Sequence, residues 1–304
     1  MLLVTLLGAV PAAVAKPPDG MQSGSLRFDG ADRSYLLQVP AGLDPARPVP
    51  LLVALHGGGG HAAIMADESR YGLAGKAARE GFVVVFPNGH SRFPRGRLAT
   101  WNAGGCCGSA RDSGSDDVGF IRALVAELRG RLPIDPQRIF ATGMSNGGMM
   151  AYRLACEAAD LFRAIAAVAG TEALAECRPS RPVSVLHIHA RDDGLVRFDG
   201  GVGEDAVRDR SKVMDFVSVP ETVSRWVSRN QCALPPQPSV AGPGARCETY
   251  AGCQSGTAVR LCVTEDGGHS WPGGGTVRRG ADPPSQALDA NDAIWDFFRE
   301  VSPH

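Results

Sequence analysis

Several things are missing from this sequence, and each absence removes a class of function. Neither sign of charge dominates: Lys plus Arg is 31 and Asp plus Glu is 32, a formal balance of −1. That excludes a polyanion-binding surface and an electrostatic membrane anchor, so no nucleic-acid partner is expected. Beyond the first fifteen residues there is no second apolar span, and hence no stable membrane anchor is expected. No Cys-X-X-Cys pair occurs with a matching second pair or a His pair, which argues against zinc, and no metal or cofactor is expected. The run Gly57-Gly58-Gly59-Gly60 has no Gly-Lys-Ser/Thr after it, so it is not a nucleotide cradle. Internal repeats, heptads and Ser/Pro/Gly linkers are also absent, which leaves one domain over residues 22–302.

What is present begins with Met1 to Ala15, an apolar run ending in Ala13-Val14-Ala15, the small-residue pattern that signal peptidase cleaves. It lacks the usual Lys or Arg ahead of the run. The expectation is a signal peptide over 1–15 and a secreted or periplasmic protein. Eight cysteines, an even number, fit disulfides made in an oxidising compartment. Cys156 with Cys177 and Cys232 with Cys253 each bracket a short excursion and are the expected pairs. Cys106 and Cys107 are adjacent, where a mutual bridge is strained, so separate partners or one free thiol is expected there.

Periodicity then fixes the fold class. Alternation on both sides of Asp29-Gly30 predicts an N-terminal antiparallel hairpin. Short, nearly continuous apolar runs at 51–55, 82–86, 138–142, 164–169 and 183–189 read as buried parallel strands. Between them, 67–80, 117–131 and 146–158 carry helical spacing, and further helices are expected at 220–229 and 285–301. Runs at 247–250 and 258–264 look like strands, whereas the Gly/Pro-rich stretches 235–244 and 271–284 read as surface loops. Alternating strand and helix means a mostly parallel, doubly wound α/β sheet.

The chemistry centres on Gly143-Met144-Ser145-Asn146-Gly147, which follows the apolar run 138–142. Gly-X-Ser-X-Gly between a strand and a helix reads as a nucleophile elbow. A serine hydroxyl needs a neutral imidazole to take its proton and an acid to orient that imidazole, and in α/β-hydrolases the chain order is serine, acid, histidine. After Ser145 come only His187, His189, His269 and His304. His304 is terminal, while His187 and His189 share one face of an apolar strand and are explained by packing. His269, in the glycine-rich loop Gly267-Gly268-His269-Ser270, is therefore the expected base. The loop after His189 offers Asp193 as the acid, with Asp192 second. For the oxyanion hole, His56-Gly57-Gly58-Gly59 supplies one backbone N–H, at Gly58 or next to it at Gly59, and Asn146 the other. Trp101 and Trp271 flank these motifs and are candidate substrate contacts. Asp116 and Asp117 open a predicted helix and read as caps.

Taken together, Leu55-His56-Gly57-Gly58-Gly59, Trp101-Asn102 with Cys106-Cys107-Gly108, Asp116-Asp117-Val118-Gly119-Phe120, Gly143 to Gly148 and Gly268-His269-Ser270-Trp271-Pro272-Gly273 resemble, in this order, secreted esterases of the polyhydroxybutyrate depolymerase and feruloyl esterase group. The resemblance covers about residues 22 to 300. It implies an α/β-hydrolase fold and a serine esterase with Ser145 as nucleophile, Asp193 as acid and His269 as base. One departure stands out: His189-Ala190-Arg191-Asp192-Asp193 replaces the His-Gly-Thr-Ala-Asp usual in that group. The implied substrates are hydroxycinnamoyl esters or hydroxybutyrate oligomers, with soluble esters favoured over insoluble polymer. An acyltransferase with the same triad and an acetyl xylan esterase are the alternatives.

Overall fold

The computed structural model describes residues 20–93, 96–203, 215–276 and 283–303; the expected export segment Met1–Ala15 and His304 lie outside them. In chain order the elements are β1 (Met21–Phe28), β2 (Ala31–Gln38), β3 (Val49–Leu55), α1 (Ala62–Met65), α2 (Leu73–Glu80), β4 (Val83–Pro87), α3 (Gly108–Asp112), α4 (Asp117–Arg131), β5 (Ile134–Met144), α5 (Asn146–Glu157), β6 (Ala164–Val168), β7 (Ser184–Ala190), α6 (Val219–Arg229), β8 (Gln237–Gly242), β9 (Ala245–Tyr250), β10 (Val259–Thr264) and α7 (Ala290–Glu300). The strands form one sheet in the order β1-β2-β4-β3-β5-β6-β7-β10-β9-β8. Its centre, from β4 to β10, is parallel, and antiparallel hairpins close both edges. This is the α/β-hydrolase architecture expected, in a single domain.

Strand alternation sorts the core into two layers. Leu51, Val53, Leu55, Val83 and Val85 face α4, α5 and α6, with Phe120, Leu124, Tyr152 and Trp226 among the residues packed there. Leu52, Ala54, Val84 and Phe86 face α1, α2 and α7, where Phe140 stacks on Phe298 at 4.4 Å between ring centroids. Each such large apolar side chain stabilises the fold by roughly 1.5–3 kcal/mol. Three helices, α4, α6 and α7, carry side-chain caps: Asp116 accepts from the Gly119 N–H, Ser218 from Glu221, and Asp289 from Asp292. The β1–β2 hairpin turns through Asp29 and Gly30, both at positive φ, which matches the twist of the strands.

Some boundaries differ from the sequence reading. The stretch 235–244 contains β8, an edge strand; it pairs with β9 alone, so Pro238 interrupts no second ladder. The helix expected from residue 67 starts at Leu73, after Gly72 at φ 64°, and the last helix starts at Ala290 rather than 285. All eight cysteines are paired. Cys156–Cys177 and Cys232–Cys253 are as expected, and Cys247–Cys262 links partners in the β9–β10 register. Contrary to expectation, Cys106 bridges Cys107. The other six cysteines are consumed by one another, which leaves this pair only itself.

Candidate active site

β5 ends at Met144 and α5 begins at Asn146, so Ser145 alone makes the turn, at φ 56° and ψ −123°. A non-glycine residue held there costs on the order of 1–3 kcal/mol and persists only where its surroundings enforce it. Those surroundings are backbone. The Ser145 N–H donates to the Val168 carbonyl at 2.8 Å, and the Ser145 carbonyl accepts from Met149 N–H at 2.9 Å. A Cβ at Gly147 would collide with the carbonyls of Leu55 and His56, and one at Gly170 would strike the Ser145 carbonyl. Gly170 was not singled out in the sequence; its only signal is its place directly after the apolar run of β6.

The glycine loop after β3 lies against this elbow. Cβ atoms built at Gly57 and Gly58 would stand 3.6 Å from the Cβ atoms of Ser145 and Asn146 respectively. The loop is pinned from behind by His56. Its Nε2 accepts from the Gly89 N–H at 3.0 Å, so the remaining proton sits on Nδ1, which donates to the Gly57 carbonyl at 2.8 Å. Burial lowers the His56 pKa to about 4, which keeps the ring neutral in this role. The amide of Asn146, in the first turn of α5, has no partner available within its own helix.

Trp101 and Trp271 are not brought to a cavity wall. Both are fully buried, because each indole spends its N–H inward. Trp101 donates Nε1–H to the His56 carbonyl at 3.0 Å, and its backbone N–H and C=O hold both ends of the Asn146 amide at 2.7 and 2.9 Å. Trp271 donates to Asn291 at 3.2 Å and meets Tyr71 edge-on. Asp116 is a cap, but Asp117 does more: fully buried, it accepts from Arg33 at 2.7 Å and from the Asn102 N–H at 2.8 Å, fastening the loop that carries Trp101.

On the other side, β7 and β10 run parallel in register, so the loops leaving them emerge side by side. That juxtaposition brings Asp193 and His269 together: His269 Nδ1–H donates to Asp193 Oδ2 at 2.8 Å. Asp193 Oδ1 accepts from the N–H groups of Leu195 and Val196, both at 2.8 Å. Burial alone would raise its pKa, yet hydrogen bonds from His189 and His269 hold it well below the usual carboxylate range. Asp192 takes a different role, accepting the Gly268 N–H at 2.9 Å and so tethering the loop of His269.

Ser145, His269, Gly57 to Gly60, Ile64, Tyr71, Met144 and Leu195 line one cavity of about 220 Å³. Ser145, His269 and the glycine loop thus border the same space. A larger hollow of about 640 Å³, bounded by Arg138, Phe140, Phe298 and Arg299, contains none of these groups.

Solved structures share this architecture. Acetyl xylan esterase from Aspergillus awamori superposes with a TM-score of 0.61 at 13% identity, over 92% of this chain and 99% of its own. Esterase 2 of Thermogutta terrifontis, phosphorylated by paraoxon, gives 0.56 at 15% identity, over 94% and 95%. Both likenesses speak to the fold, that of the α/β-hydrolases. The family described as Esterase PHB depolymerase matches residues 33–217, and the chain belongs to it; it is a carboxylic ester hydrolase. Among relatives, feruloyl esterase B of Piromyces equi is 31% identical over 247 residues, 78% of this chain but 42% of that protein. NocK of Nocardia uniformis is 34% identical over 88% of this chain and 80% of its own, and feruloyl esterase C of Emericella nidulans 29% over 96% and 92%.

Proposed function

We propose that this protein is an exported serine carboxylesterase, a single catalytic domain over residues 22–302, acting through Ser145, His269 and Asp193. The observation that carries the reading is the 2.8 Å bond between His269 and Asp193 in a loop that opens, with Ser145, on one cavity. With Nδ1–H committed to Asp193, the Nε2 lone pair of His269 is free to take the Ser145 proton as Oγ attacks the ester carbonyl. The charge arising on the carbonyl oxygen is received by the N–H groups of Gly58 and Asn146, each worth roughly a hundredfold or more in rate. The imidazolium returns the proton to the departing alcohol. Water, deprotonated by His269, then releases the acid and regenerates Ser145.

Hydroxycinnamoyl esters are the favoured substrates, supported by the relatives named feruloyl esterase and by an apolar wall of Ile64, Tyr71, Met144 and Leu195. Short hydroxybutyrate oligomers come second, on the family description. Four disulfides support an oxidising destination, secreted or periplasmic.

Ser145→Ala should lower kcat by about 10⁴-fold or more with the thermal midpoint nearly unchanged. Retained turnover would sink the reading. Rates on methyl ferulate, a 3-hydroxybutyrate trimer and p-nitrophenyl acetate, measured side by side, decide the substrate class.

A further inference from the structure

β7 carries two histidines, His187 and His189, on the face that packs against α5 and α6, and both are fully buried. Neighbouring positions on that same face, Val183 and Val185, are aliphatic. Two imidazoles in an apolar layer carry a desolvation cost unless every polar atom finds a partner. Here every one does. The Tyr152 hydroxyl lies 2.8 Å from His187 Nδ1. His187 Nε2 is 3.0 Å from His189 Nδ1. His189 Nε2 is 2.7 Å from the Val196 carbonyl and 3.3 Å from Asp193 Oδ2.

The acceptors at the far end set the direction of this chain. Val196 O and Asp193 Oδ2 only accept, so His189 carries its proton on Nε2. The Tyr152 hydroxyl proton has His187 Nδ1 as its acceptor, which places the His187 proton on Nε2, pointing at His189 Nδ1. Donation therefore runs one way, from Tyr152 through His187 and His189 to the Val196 carbonyl, with Asp193 Oδ2 3.3 Å from the same nitrogen.

We infer that Tyr152, His187 and His189 form a directional hydrogen-bond chain whose task is to orient the Asp193 carboxylate toward His269, which makes the two buried histidines positioning residues for ester hydrolysis. The inference rests on the triad proposed above. Asp193 then has three hydrogen-bond donors, the N–H groups of Leu195 and Val196 and His269 Nδ1, with His189 Nε2 in close contact at 3.3 Å. A carboxylate held at both oxygens cannot swing away from His269. His187 Nε2–H in turn satisfies the Nδ1 lone pair that this His189 tautomer leaves, so the His189 ring is held by a bond at each nitrogen. Burial, then the neighbouring imidazole, holds the His187 pKa well below the usual range. Burial, then the charge of Glu172, pushes the Tyr152 hydroxyl well above its own. The charged groups near the chain are Asp193 at one end, Glu172 with Arg225 and Arg229 beside Tyr152, and Arg191, stacked over Phe198 where that ring meets His189.

The test is long-range ¹H–¹⁵N correlation of the imidazoles in the intact protein at neutral pH, with kinetics of two His187 variants. His187 and His189 should both appear as Nε2–H tautomers and His269 as Nδ1–H. His187→Gln, whose amide can still donate to His189, should hold kcat within about twofold, whereas His187→Phe should lower kcat about tenfold or more at unchanged KM. An Nδ1–H tautomer at His189 in the unmodified protein overturns the inference, with no variant needed. Equal losses in the Gln and Phe variants, or no loss in either, also overturn it. The two readings fail separately: an active Ser145→Ala variant removes the triad whatever the tautomers, and an inactive one alongside reversed tautomers removes only the chain.

Discussion

The two halves of the sheet place their reactive groups by different physical means. On the β3–β5 side the serine and the glycine loop are held by backbone: a strained residue at φ 56°, its amide and carbonyl both bonded, and glycines where a methyl would collide with a carbonyl. On the β7–β10 side Asp193 and His269 are 76 residues apart and are brought together by hydrogen bonds onto one side-chain carboxylate. Two of the three disulfides that join separated cysteines, Cys232–Cys253 and Cys247–Cys262, also lie around this second half. Backbone placement couples the site to the fold itself, whereas side-chain placement allows the chemistry to be lost while the fold survives.

That contrast can be broken by substitution. The largest effect is expected from Asp193→Asn on the side-chain half: the amide would present a donor to His269 and favour the wrong tautomer, lowering kcat by roughly 10⁴-fold. Its circular dichroism and thermal midpoint at neutral pH should stay near the parent's. Because the Asp193 pKa is depressed on folding, its ionisation stabilises the native state above the unfolded carboxylate pKa, and this contribution fades as pH falls below it. The Asn variant should accordingly lose less stability than the parent below about pH 4. On the backbone half, Gly147→Val should instead destabilise by about 3 kcal/mol in urea unfolding and abolish turnover together. A stable, folded but inactive Gly147→Val protein would erase the distinction.

Two smaller effects sharpen it. His56 is neutral in the native state with a pKa of about 4, so between the unfolded value near 6.5 and 4 the unfolded chain binds the extra proton. Stability should therefore fall as pH drops through that window, by about 3 kcal/mol from His56. His56→Gln should flatten the unfolding free energy against pH there, and an unchanged slope would count against the pinned glycine loop. Smallest of all, Asp192→Ala removes one bond to the Gly268 amide, costing about 1 kcal/mol. It should reduce kcat/KM severalfold, far less than the change at Asp193, and equal losses would mean that the two carboxylates share the same role.

The legible parts of this protein were those written within a few residues of one another. The elbow, the glycine loop and the parallel strands follow from side-chain spacing and from where a Cβ is tolerated, because strands and turns are local solutions. Cys156–Cys177 and Cys232–Cys253, each bracketing a short excursion, were legible as pairs, whereas Cys247–Cys262 was not. β8 was not: an edge strand needs only one partner, so its Pro- and Gly-rich composition reads as loop. The inward turn of Trp101 was equally hidden, because its acceptors, His56 and Asn146, lie 45 residues away on either side.

The proposed chemistry, a serine at a strand-to-helix turn with a histidine and an aspartate in later loops, was thus readable from the linear order of residues alone. Which aspartate meets His269, and that Tyr152, His187 and His189 lie in a line beside it, depended on β7 and β10 lying in parallel register. Hydrogen bonds act over about 3 Å, and only the folded sheet brings such distant residues within that range.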